Sequence, residues 1–151
     1  MKAIHQKTRR KGATAVEMAV ISLVFFSLFL GVLEFGRYFF IGHVSLNATR
    51  EAARYASAHT GDGTTTQTII DMVNTQMAGQ NAMLQNYLVE VLNVNPSTGQ
   101  IIANTTWTDA QFGGAIMVRV TGTYQFTMPI LFFLPSSITM NASSIVNSEG
   151  T

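Results

Sequence analysis

From Met18 to Leu33 only four residues are not strongly apolar, Ala19, Ser22, Ser27 and Gly31, and apolar character returns at Tyr38, Phe39, Phe40 and Ile41. A helix rising 1.5 Å per residue carries the stretch Met18 to Ile41 over roughly 36 Å, more than the ~30 Å hydrocarbon core of a bilayer. A chain of 151 residues offers too little surrounding structure to bury that much apolar helix. The segment is therefore predicted to cross a membrane. A secretory signal would need its small-x-small site at Ala56-Ser57-Ala58, which lies behind Arg50, Glu51 and Arg54 and too far past the apolar run for cleavage at the membrane surface.

Charge sets the orientation. Lys2, Lys7, Arg9, Arg10 and Lys11 all precede the first acid, Glu17, and are predicted to keep the N-terminus cytoplasmic, leaving the chain after about residue 42 outside. Beyond that leader four basic residues (Arg37, Arg50, Arg54, Arg119) face eight acidic ones, so no basic surface for nucleic acid is expected. Charged residues make up 11% of the chain against roughly 25% in soluble domains, which argues against an ordinary cytosolic enzyme. Cysteine is absent, removing disulfides, thiolate zinc sites and cysteine nucleophiles. At the outer end of the span Glu34 and Arg37 fall at i and i+3 on one helical face. There they can pair while Arg37 snorkels and Tyr38 sits among the headgroups.

The inner end reads Lys11-Gly12-Ala13-Thr14-Ala15-Val16-Glu17-Met18. A carboxylate just inside an apolar segment is costly, about 2.5 to 3.5 kcal/mol at bilayer depth and less near the interface, and is normally kept for a partner charge or a function. Cleavage after Gly12 would create such a partner, the new α-amino group of Ala13, on the same helix or on a neighbouring subunit. The alternative is an interfacial glutamate that only snorkels. Ala15 with Ala19 and Ser27 with Gly31 form two small-xxx-small pairs that would let apolar helices approach closely. Lipid-facing packing without a partner reads equally well from those residues.

The leader ending Arg9-Arg10-Lys11-Gly12, Glu17 five residues beyond the glycine and the apolar helix behind them are similar to the processing region of type IV prepilins and pseudopilins. The stretches Gly31-Val32-Leu33-Glu34-Phe35-Gly36-Arg37-Tyr38 and Asn47-Ala48-Thr49-Arg50-Glu51-Ala52-Ala53-Arg54-Tyr55-Ala56 resemble TadE-like proteins, the minor pseudopilins of the tight-adherence (Flp) pilus system. The resemblance covers roughly residues 8 to 58. It implies a prepilin peptidase that cuts between Gly12 and Ala13 with Glu17 as a recognition element. As partners it implies other pilins and pseudopilins, the pilus assembly platform and the lipid bilayer. Position 18 is Met, where the family more often has an aromatic residue.

Outside the membrane the helix is predicted to continue to about Ala58, with Ala48, Ala52 and Ala56 four apart as a stripe on which a small domain packs; a second oligomer contact is the alternative. Gly61-Asp62-Gly63 breaks it. Ile69, Ile70, Val73 and Met77 predict a second amphipathic helix within Thr64 to Met83, ending near Gly79. The period then changes. Tyr87, Val89 and Val91, a turn at Asn95-Pro96-Ser97-Thr98-Gly99, then Ile101 and Ile102 read as strand, turn, strand. Ile116, Val118 and Val120 continuing to Phe126, and Ile138, Met140, Ala142 and Ile145, predict two further strands.

The expectation is a pilin-like α+β chain: a long N-terminal transmembrane helix leading into a small extracytoplasmic domain with a second helix and an antiparallel β-meander. Its organisation is a leader at 1–12, the span at 13–41 and a periplasmic domain at 42–151. The run Ile130-Leu131-Phe132-Phe133-Leu134, between Pro129 and Pro135, is too short to span and needs cover, from the sheet, from another pilin through Phe132 and Phe133, or from the outer leaflet. No catalytic constellation, metal set or phosphate loop is expected: His5, His43 and His59 lie apart, with no second ligand at metal spacing. No cofactor is expected either.

Overall fold

The computed structural model describes residues 5–127 and 136–149, with side chains from Gly12 onward. The run containing Phe132 and Phe133, and the side chain of His5, lie outside the described residues. In chain order the elements are α1 (His5–Ala58), α2 (Thr66–Gln76), β1 (Leu84–Val94), β2 (Ala115–Gln125) and β3 (Ser137–Asn147), with 3-10 turns at Gln80–Met83 and Trp107–Asp109. Two compact units result: Met1–Arg37 with Thr127–Leu134, and Tyr38–Phe126 with Pro135–Thr151. The α+β class expected from sequence is the class observed. The helix begins earlier than expected, inside the basic leader, because Gly12 alone is too weak a breaker to stop a run of good helix formers.

In the first unit α1 presents its apolar side chains outward. Val16, Leu23, Phe25, Leu28 and Val32 are all more than half exposed, and the apolar stretch is long enough to cross a membrane.

The second unit is built on the later part of α1. Ile41, Ala48, Ala52, Ala53 and Ala56 are fully or almost fully buried and join Ile69, Val73 and Met77 of α2 with Val89, Ile116, Val118, Val120, Met140 and Ala142 of the sheet in one core. The alanine stripe is thus domain core. Small side chains let the helix backbone lie close to the sheet, and the two hydroxyls that reach this depth are satisfied by the helix itself. Ser45 Oγ donates to the Ile41 carbonyl at 2.8 Å and Thr49 Oγ1 to that of Leu46 at 2.9 Å.

The sheet is a three-stranded antiparallel meander in the order β1-β2-β3. Alternation along β2 sends Ile116, Val118 and Val120 to the core, while Ala115 and Met117 form a small cluster with Leu92 and Val94. On that second face Arg119, paired in register with Glu90, donates from Nε and Nη2 to Glu90 Oε2 at 3.0 and 2.8 Å. The pair is half-exposed and contributes no more than about 1 kcal/mol.

The strand expected at Ile101 and Ile102 is reduced to a single bridge, Val94 to Ile101. Pairing starts, with the Ile102 N–H on the Asn93 carbonyl. The chain then turns away: Asn104 has φ +61°, and Thr105 Oγ1 takes the Ile102 carbonyl at 2.8 Å. That turn delivers Trp107 to the core. Its ring is 1% exposed, and Nε1 donates to Thr66 Oγ1 at 2.9 Å, tying this connection to the start of α2.

Register between β1 and β2 slips between Gln85 and Leu88, where Asn86 has φ +51° and two residues oppose Gly122. A Cβ on Gly122 would stand 2.9 Å from the Cβ of Leu84, an atom that no shortening of Leu84 except to glycine removes. Gly122→Ala is accordingly expected to destabilise the second unit by about 1–3 kcal/mol, measured as a lower denaturant midpoint of Trp107 fluorescence.

Candidate functional site

Gly12, Ala13 and Glu17 lie on continuous helix, and every residue from Gly12 to Val20 is exposed. Glu17 makes no hydrogen bond or ion pair among the described residues, so its carboxylate is open to a group from outside the chain. Ala15 and Ala19 are exposed, whereas Ser27 and Gly31 are half-buried. The Ser27 hydroxyl donates to the Leu23 carbonyl at 2.8 Å, one turn back, which leaves the small-residue face apolar in character.

At the other end of the apolar stretch stand the three residues singled out by spacing. Glu34 is buried at 7% exposure, and its Oε1 accepts from the backbone N–H of Thr127 at 2.9 Å, a contact that spacing along the helix could not reveal. Arg37 is exposed. Tyr38 belongs to the second unit, where its ring lies 5.7 Å from that of Tyr124 and 5.6 Å from that of Phe39.

The second unit carries two concave surfaces. A groove of about 600 Å³ lies between α1 and β3, lined among others by Tyr38, Phe39, Gly42, His43 and Met140. A second, of about 490 Å³, lies by the end of α1 and the Trp107 turn, lined by Thr60, Gly61 and residues Thr108 to Phe112. His43, Thr139 and Ser143 all line the first groove, but no hydrogen bond joins the imidazole to either hydroxyl, and no cluster of metal-ligating side chains occurs among the described residues. His59 stacks on Tyr55 with centroids 4.0 Å apart, and its Nδ1 bonds the Tyr55 carbonyl at 2.8 Å.

The Trp107 turn is closed by a capping box that the sequence reading missed, although Thr106 and Asp109 stand at the signature spacing. The Asp109 carboxylate accepts from the Thr106 N–H at 2.6 Å and the Thr106 hydroxyl at 2.8 Å. These bonds, the backbone one foremost, hold its pKa below the ordinary 3.8. A carboxylate with a lowered folded pKa adds stability that is present above the ordinary value and is lost as the pH falls through the folded one. Asp109→Asn is therefore expected to lower the neutral plateau of the stability profile and so flatten its acid limb, with variant and parent converging as the pH falls through the folded pKa, read by Trp107 fluorescence from neutral pH down to about pH 3.

The fold and the exposed helix define a class: a small α+β unit on a single long apolar helix fit to serve as a membrane anchor. Within that class the family model described as TadE-like protein matches residues 12–54, the part of α1 from the glycine junction into the buried alanine stripe, so that over this helix the chain is similar to TadE-like proteins. No curated protein and no solved structure matches it.

Proposed function

We propose that the chain is a membrane-anchored minor pseudopilin, trimmed by a prepilin peptidase between Gly12 and Ala13, that acts in the assembly of a Flp/Tad-type adhesive pilus. The N-terminus lies in the cytoplasm, α1 crosses the inner membrane once, and the second unit stands in the periplasm. Its partners are the peptidase, other pilins and pseudopilins, the assembly platform and the bilayer, and its chemistry is that of a substrate rather than of an enzyme.

The observation that carries this reading is a coincidence of boundaries. The family match begins at Gly12, the residue where the basic leader meets the exposed apolar helix. Cutting there removes the charge that orients the chain and leaves the anchor whole.

Intact mass of the detergent-purified chain, expressed with and without a prepilin peptidase, tests the proposal. Peptidase-dependent loss of residues 1–12 is the expected result. A chain that starts at Met1 under both conditions would instead favour an unprocessed single-pass protein displaying a small periplasmic binding domain. Glu17→Ala is expected to slow processing or incorporation about tenfold, equivalent to ~1.4 kcal/mol of lost recognition. Unchanged cleavage kinetics together with unchanged pilus yield would refute that role for Glu17.

A further inference from the structure

The register of β2 and β3 fixes which main-chain groups of β3 are in use. Pairing runs without a slip from Ala115 opposite Asn147 to Gln125 opposite Ser137. Just beyond its two ends the bonded partners are even-numbered on the β3 side: the Phe126 N–H donates to the Ser136 carbonyl at 3.1 Å, and the Ser148 N–H to that of Gly114 at 2.6 Å. Bonded and non-bonded pairs alternate along an antiparallel ladder. The even residues of β3 therefore bond β2, while Thr139, Asn141, Ser143 and Ile145 turn their N–H and C=O groups away from it. Among the described residues nothing bonds these four from the open side.

The opposite edge of the sheet is blunted. β1 is interrupted by the slip between Gln85 and Leu88, carries Glu90, and has its end taken by the bridge to Ile101. Bulges, charges and covering segments of this kind discourage further pairing. β3 has none of them along its eleven residues, which include neither proline nor charge.

A groove accompanies the open edge. It is lined by every residue from Thr139 to Ser143, although odd and even side chains point to opposite faces of a sheet, so it runs along the edge of the strand. Its other wall is one face of α1, where Tyr38, Phe39, Gly42, His43 and Leu46 follow helical spacing. His43 is the sole lining side chain able to carry charge near neutral pH.

A second copy of β3 does not suit this edge. Two identical strands pair in an antiparallel sheet about a two-fold axis normal to it, which reverses every element lying along the sheet. α1 does lie along β3: a Cβ on Gly42 would stand 3.9 Å from Met140 Sδ, and further on the Glu149 N–H donates to the Ser57 carbonyl at 3.0 Å. The two helices would run in opposite directions, whereas copies anchored in one bilayer run in the same one. This exclusion rests on the anchor reading of α1.

We propose that the free edge of β3 takes up an extended, uncharged segment of a second protein as a fourth strand. Its main chain bonds Thr139, Asn141, Ser143 and Ile145, and its apolar side chains on the α1 side rest on Phe39 and Leu46. Main-chain bonds supply the affinity of such an addition and alternate side chains its selectivity. The segment is uncharged because β3 and the groove offer no counter-charge except His43.

The probe is a blocked peptide, acetyl-Gln-Val-Thr-Val-Thr-Val-Gln-amide, added to the full chain in nanodiscs of phosphatidylethanolamine and phosphatidylglycerol. Residue-resolved amide exchange is expected to slow about tenfold or more at Thr139, Asn141, Ser143 and Ile145, and to stay unchanged at Met140 and Ala142, which already bond β2. Replacing the central valine of the peptide by lysine is expected to weaken binding about tenfold. Asn141→Pro removes an outward N–H and no bond to β2, and is expected to abolish the protection. Trp107 fluorescence reports that the variant is folded; should it fail that check, Asn141→Lys takes its place.

Unchanged exchange at the four amides at saturating peptide overturns the proposal. So does protection that persists in the folded Asn141 variant, and so does equal binding of the lysine peptide. Protection of the same amides without peptide, growing with protein concentration, marks self-pairing; it overturns the choice of occupant and points to a chain whose α1 is not an anchor.

Discussion

Gly12→Leu is expected to leave residues 1–12 on every membrane-purified molecule under conditions in which the parent chain loses them. Two properties of the junction make this the largest effect proposed. A peptidase acts on extended backbone, yet α1 runs as helix straight through Gly12 and Ala13, so the helix must open locally before it can be cut. Glycine lowers the cost of that opening by roughly 1 kcal/mol relative to a good helix former, and leucine removes the advantage while adding bulk at the scissile position. A Cβ at Gly12 meets nothing within 4 Å, so the substitution leaves the fold of the chain undisturbed. Retained leader in Gly12→Leu is thus a statement about recognition, and a normally trimmed Gly12→Leu chain would move the cut elsewhere. Gly12→Ala should fall between the two, measured as the ratio of full-length to trimmed mass.

Trp107→Ala is expected to cost the second unit about 3–5 kcal/mol, the range for removing a buried aromatic side chain. Total stabilities of domains lie near 5–15 kcal/mol, so the variant retains little margin. The loss combines the cavity with the hydroxyl of Thr66, which gives up its indole donor. Trp107→Phe separates the two contributions, keeping most of the ring volume and losing only the hydrogen bond, at about 1 kcal/mol. Because Trp107 is the chain's single tryptophan, far-UV circular dichroism under denaturant is the appropriate measurement for both variants. A midpoint for Trp107→Ala equal to that of the parent would place the indole outside the cooperative unit.

The parts of the molecule legible in the sequence are those governed by local period. The apolar run of α1, the alanines four apart at Ala48, Ala52 and Ala56, and the alternation through Ile116, Val118 and Val120 each recur at the spacing of the element they form, and each occupies the expected surface. The family resemblance read from the helix residues agrees with the family match. Contacts that join distant parts of the chain were not legible. Spacing on the helix put Glu34 near Arg37, but nothing local announced that the Glu34 carboxylate accepts from an amide 93 residues away. The expected strand at Ile101 and Ile102 had the right residues, but the positive φ of Asn104 and the burial of Trp107 diverted the chain after one bridge. Trp107 carried one overlooked signal, a lone indole in an otherwise polar stretch beside a Thr-x-x-Asp spacing.

The alanines of α1 also bear on how freely this helix can drift in evolution. Between Val16 and Leu33 one greasy residue replaces another at little expense, since lipid conforms to whatever shape it meets. From Ala48 to Ala56 each buried methyl sets the distance between helix and sheet, and even one added carbon forces rigid neighbours apart. A single uninterrupted helix therefore holds two mutational regimes, permissive and then strict, and a saturation library read along α1 should register the change as a step.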